Sequence, residues 1–112
     1  MKKNKLLELK KKLEDLLKKD PKNKEARFSL AGLYYNLGNS FFRKKKFDDA
    51  IENYLKSIEL DKKFVHSYYN LGNSYKEKED LKKAIKYFKI AVDIDPNNIP
   101  AKINLGVANS AN

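Results

Sequence analysis

The chain has 112 residues, no cysteine and a formal net charge of +10 at pH 7. That length gives one domain, near the size at which a single core holds itself together unaided, and the absence of thiols excludes disulfides and thiolate chemistry. No apolar run approaches the ~20 residues of a membrane span, and Met1-Lys2-Lys3-Asn4-Lys5 leads into an amphipathic stretch rather than a signal sequence, so a soluble, cytoplasmic protein is expected.

In chain order, the first element is a helix over residues 5–20. Leu6, Leu9, Leu13, Leu16 and Leu17 recur at helical spacing and Asp20-Pro21 ends the run. These leucines sit at the apolar positions of a hairpin's second helix, so the segment reads as half a hairpin capping the N-terminal end, with lysines outward. A long helix over about residues 23–44 follows. Its apolar residues keep one face through a seven-residue insertion, which is nearly two turns. An irregular break near Ser29 to Gly32 is the alternative.

Beyond a turn at residues 45–47 the period becomes explicit. Tyr35-Asn36-Leu37-Gly38-Asn39-Ser40 returns 34 residues later as Tyr69-Asn70-Leu71-Gly72-Asn73-Ser74. Ala50, Ile51, Tyr54 and Ile58 likewise match Ala84, Ile85, Phe88 and Val92. Tyr68, Leu71, Gly72 and Tyr75 fall at i, i+3, i+4, i+7, one helical face, and Leu81 to Val92 repeat that spacing. Between them Glu79-Asp80 forms a polar break, with Asp80 as N-cap; Asp95-Pro96 ends the second helix and Asn98 caps the next. Each unit is therefore a helical hairpin in which Gly38, Gly72, Ala50 and Ala84 mark close helix approach. The domain then divides into a cap (5–20), a first repeat with an extended first helix (22–64), a second repeat (65–98) and a closing helix (99–112).

In the closing helix Asn104-Leu105-Gly106 continues the period, and Leu105 and Gly106 are expected to face inward. Ile99, Ile103 and Val107 form a narrow apolar stripe where earlier repeats carry Tyr and Asn. The stripe is either exposed, and then a surface for weak self-association into a homodimer, or tucked against residues 85–92.

Function classes narrow in the same way. His66 is the only histidine, so neither a nucleophile–base arrangement nor a metal site has its parts, and no enzyme activity or cofactor is expected. The +10 charge invites polyanion binding, but only Arg27 and Arg43 are arginines, the usual bidentate readers of phosphate. A lysine-rich solvated surface is the expected reading, with nucleic-acid binding as the minor alternative. The reduced alphabet fits an AT-rich genome or an engineered scaffold equally well.

The residues carry a resemblance. Tyr68, Leu71, Gly72, Tyr75, Ala84, Phe88 and Pro96 occupy the signature positions of the tetratricopeptide repeat, and residues 31–64 match all but the last, where Lys62 stands. This resemblance implies an all-α right-handed superhelix of antiparallel hairpins, about six helices here, and a non-catalytic scaffold that binds a peptide or partner helix on its concave face. It places Tyr35, Asn36, Asn39, Phe42 and Arg43 there in the first repeat. His66, Tyr69, Asn70, Asn73 and Lys76 follow in the second, then Ile103, Asn104 and Val107. Asn36, Asn70 and Asn104 recur in phase, and such amides either pair with a bound peptide backbone or bond across neighbouring helices. The family's clamp for a C-terminal carboxylate is not expected: Asn39 and Asn70 match it, but Tyr35, Pro100 and Asn104 stand where it needs cations. A spacer or scaffold role without any ligand is the rival reading.

Overall fold

The computed structural model describes residues 2–111, with the side chains of residues 5–110; Met1 and Asn112, the ends of the expected domain, lie outside the described residues. Six helices run in antiparallel order: α1 (Lys2–Lys19), α2 (Lys24–Arg43), α3 (Phe47–Leu60), α4 (Val65–Glu77), α5 (Leu81–Ile94) and α6 (Ile99–Ala111). Each packs on its successor, and no strand occurs among the described residues.

Helix α2 is unbroken through Ser29 to Gly32 and, at 20 residues against 13 for α4, carries about 10 Å of extra helix. Its start is fixed by Asn23, whose side chain accepts from the Ala26 amide at 3.0 Å. Asp80 and Asn98 cap α5 and α6 as expected, accepting from the amides of Lys83 (3.2 Å) and Ala101 (3.1 Å). The added length of α2 is covered by α1, where Leu13 and Leu17 pack on Leu30, Leu33 and Tyr34. Glu14 of α1 also accepts from the Tyr34 hydroxyl at 3.1 Å. Burial and the nearby carboxylate push the Tyr34 phenol up to about 12, so it stays a neutral donor.

Within each complete hairpin the glycine seats an aromatic ring. A Cβ on Gly38 would stand 2.5 Å from the ring of Tyr54, and one on Gly72 2.5 Å from the ring of Phe88, while both rings are fully buried. Ala50 and Ala84 are fully buried as well. The hairpin tips close identically. The Lys46 amide donates to Phe41 O and the Asp80 amide to Tyr75 O, both at 2.9 Å. Lys45 and Glu79 turn the chain in the left-handed region at φ 61° and 63°.

The junction between hairpins is equally periodic in position but not in chemistry. Between α3 and α4, Ser57 and Ser67 share a buried hydroxyl–hydroxyl hydrogen bond of 2.7 Å. Between α5 and α6 the equivalent residues are Ala91 and Ala101, both fully buried.

The C-terminal helix departs from expectation in one respect. Its inward face is Ala101 and Ala108, both buried, whereas Leu105 is half-buried and Gly106 is exposed with nothing within 4 Å of a Cβ built on it. The physical reason is that no second helix lies against this face among the described residues, so the glycine position that α2 and α4 bury stays open on α6. The same orientation leaves Ile99, Ile103 and Val107 64%, 60% and 54% exposed, and the stripe is not tucked against α5.

Candidate peptide-binding groove

The first helices of the repeats, α2, α4 and α6, are laid side by side by polar contacts between their side chains. Asn39 of α2 accepts at Oδ1 from the Nδ2 of Asn70 on α4, at 2.8 Å, and also from the Tyr54 hydroxyl. One period on, Asn73 of α4 accepts at Oδ1 from the Nδ2 of Asn104 on α6, at 3.2 Å, and the same Nδ2 donates to the Tyr69 hydroxyl at 3.0 Å. The asparagines thus bond across neighbouring helices, at a spacing of 31 residues rather than 34. A small polar side chain is needed here because the helices are close and the groups are partly withdrawn from water, where an unpaired amide costs about 1–3 kcal/mol.

Each of these amides keeps its other end without a hydrogen bond among the described residues. The Nδ2 groups of Asn39 and Asn73 remain as donors and the Oδ1 groups of Asn70 and Asn104 as acceptors. Asn36, in phase with Asn70 and Asn104, is exposed and its side chain makes no hydrogen bond among the described residues. Tyr35 lies among Tyr54, Phe64 and His66, with ring centroids 6.1, 5.2 and 6.1 Å away, so one aromatic cluster joins α2, α3 and the start of α4. Arg43 and Lys76, near the far ends of their helices, have no ion pair among the described residues. Phe42 turns its edge to Phe47 at 5.2 Å.

Ile103 and Val107 do not enter this polar network, and Asn104 alone links α6 to it. Of the expected residues the structure therefore brings together Tyr35 with His66, Asn39 with Asn70, and Tyr69 and Asn73 with Asn104. Asn36, Arg43 and Lys76 take no part in these side-chain contacts.

Asn36, Asn39 and Arg43 also line a cavity of about 520 Å³, walled by Leu6 and Leu7 of α1 and by Leu33, Leu37 and Phe41 of α2. The cavity forms because α1 meets α2 through Leu13 and Leu17 while its first turns leave Leu6 and Leu7 exposed. Sequence reasoning missed this apolar wall. The signal was Leu7, which falls outside the i, i+3 stripe at a position where α3 and α5 carry Asp48 and Lys82.

A stack of helical hairpins with a strip of aromatic and amide side chains along its first helices defines a helical-repeat protein. The chain belongs to the tetratricopeptide-repeat family: a TPR repeat model matches residues 38–79 and a tetratricopeptide repeat model residues 66–98, together more than half of the chain. Repeats of this family are typically non-catalytic interaction modules. The fold is similar to the crystal structure of MamA, with a TM-score of 0.71 and 25% identity over 88% of this chain and 74% of that one. It is similar also to the first TPR of Spaghetti (RPAP3) bound to the HSP90 peptide SRMEEVD, at TM-score 0.72 and 22% identity, covering 96% and 93% of the two chains. The second TPR of the same protein, bound to the same peptide, aligns at TM-score 0.71 and 26% identity over 72% and 75%. A search of the curated proteins finds no match. No described helix is long and apolar enough to cross a membrane.

Proposed function

We propose that this protein is a non-catalytic scaffold whose groove holds an extended or helical segment of another protein. Tyr35, Asn36, Asn39, Arg43, His66, Tyr69, Asn70, Asn73, Lys76 and Asn104 make the contacts. The observation that carries this reading is the alternation of leftover donors and acceptors along the asparagines. A peptide backbone presents N–H and C=O groups in alternation, so such a strip recognises a main chain independently of its side chains. The cross-helix bonds pre-orient the amides, which reduces the entropy lost on binding. The cavity beside Asn36 and Arg43 then accepts one apolar side chain of the bound segment. Arg43 and Lys76, unpaired within the described residues, favour an acidic one. The acidic peptide held by the two RPAP3 domains is consistent with that preference, although here Tyr35, Pro100 and Asn104 replace the cations that a terminal carboxylate needs.

An unbiased peptide-library selection tests the proposal. Enrichment of acidic-apolar sequences is expected, with roughly a tenfold or greater loss of affinity in an Asn36→Ala, Asn70→Ala double variant, corresponding to about 1.4 kcal/mol. Failure to enrich any peptide would favour a spacer role. Sub-micromolar binding to mixed-sequence RNA or DNA at physiological salt would favour the polyanion reading.

A further inference from the structure

The two ends of the stack are unfinished in complementary ways. In both complete hairpins the second helix fully buries the same three positions, between its own first helix and the next one: Ala50, Tyr54 and Ser57 in α3, and Ala84, Phe88 and Ala91 in α5, all 0% exposed. Aligned on the residue that ends each helix (Asp20, Asp61 and Asp95), α1 places Leu9, Leu13 and Leu16 at those positions. Leu13 is half-buried on α2, but Leu9 and Leu16 remain 45% and 41% exposed. Helix α1 is thus a second helix without its first. Helix α6 is the converse, a first helix with no second helix against it among the described residues, and Gly106 is bare where Gly38 and Gly72 each seat a ring.

We propose that the protein associates with a second copy of itself head to tail, α1 of one copy docking on α6 of the next to complete a third hairpin. The interface continues one the chain already makes twice, with the same helix order and register. Leucines on α1 supply the apolar bulk that the open Leu105–Gly106 face lacks. Continuing the array also sets α2 of the incoming copy alongside Ile103 and Val107. These residues hold the positions from which Tyr69 and Asn73 reach the next first helix at Asn104. Helix α6 carries Lys102 as its one charge, so the lysine-rich α1 approaches it with little like-charge repulsion. The two surfaces differ, so the contact is heterologous and does not close on itself after one step.

Sedimentation velocity on the full chain tests this with two variants. Leu9→Lys with Leu16→Lys blocks the α1 end, and Gly106→Lys blocks the α6 end. All three positions are exposed in the single chain, so the α1 variant should melt close to the parent and Gly106→Lys should melt no lower than it. The parent is expected to gain mass with concentration, and each variant alone to stay monomeric with association weakened at least tenfold. Mixed together, the two variants should restore one junction and stop at a 1:1 dimer. A parent that remains monomeric into the millimolar range overturns the proposal. So does an α1-blocked variant that still dimerises, which would make the contact isologous through α6, or a mixture that forms no dimer.

Discussion

Gly72 and Gly106 occupy the same position of the same Leu-Gly pair, 34 residues apart, and have opposite surroundings. Around Gly72 the ring of Phe88 fills the space a Cβ would need; around Gly106 that space is empty. One residue type thus serves close packing in one helix and nothing visible within the single chain in the other. The difference shows that the motif encodes a hairpin rather than a helix, and the motif's meaning depends on whether the second helix is present.

The largest effect should come from filling the occupied seat. Gly72→Leu forces either the buried Phe88 ring or α4 itself to move, and overpacking of this kind costs about 1–3 kcal/mol or more. Gly38→Leu should act alike against Tyr54. Denaturant midpoints check both, and an unchanged midpoint for either would show that its ring gives way freely.

Next in size is the pair of junctions. Ser57 and Ser67 satisfy each other where Ala91 and Ala101 have nothing to satisfy. Ser57→Ala alone should cost about 1–3 kcal/mol, because it strands the Ser67 hydroxyl in the core. The Ser57→Ala, Ser67→Ala double variant should recover most of that loss, since it reproduces the chemistry of the α5–α6 junction. A double-mutant cycle measures the coupling directly, and additive losses would contradict it.

Gly106→Ala should move stability in the opposite direction to Gly72→Leu. Its Cβ meets nothing within 4 Å and a glycine inside a helix costs about 1 kcal/mol relative to alanine, so the dilute chain should gain up to about that much. Thermal melts at low concentration decide the sign.

These contrasts also show what the residues reveal when read alone. The period, the hairpin tips, the unbroken α2 and the caps at Asp80 and Asn98 were legible because each rests on local chemistry: helical spacing, a polar break, a proline, a side chain that accepts an amide. The orientation of α6 was not, because Leu105 and Gly106 carry the inward signature, yet no described helix covers Gly106. The asparagine pairs were hidden for a different reason. They join residues 31 apart, so a search by the 34-residue period aligns Asn36 with Asn70 and misses that Asn39 is the partner. The exposed leucines of α1 read as core because their spacing is that of a core helix; nothing in the spacing says which of two possible neighbours is present.

The smallest expected effect concerns a feature that only complete hairpins possess, the left-handed residue at the tip. Lys45 and Glu79 hold φ near +60° although neither is a glycine, and an L side chain there costs roughly 1–2 kcal/mol. Glycine removes that cost but loosens the unfolded chain by about 0.4–1 kcal/mol, so Lys45→Gly and Glu79→Gly should each stabilise by only about 0.5 kcal/mol. The ion pair between Lys78 and Asp48, which links the two tips, is exposed and contributes little, so it should not mask the gain. Asparagine tolerates the same backbone region with a smaller entropy penalty, and Glu79→Asn should therefore match or exceed Glu79→Gly. A loss of stability in both variants would mean that the side chain of Glu79 holds the tip by some contact of its own, and the equivalence of the two hairpins would then end at their tips.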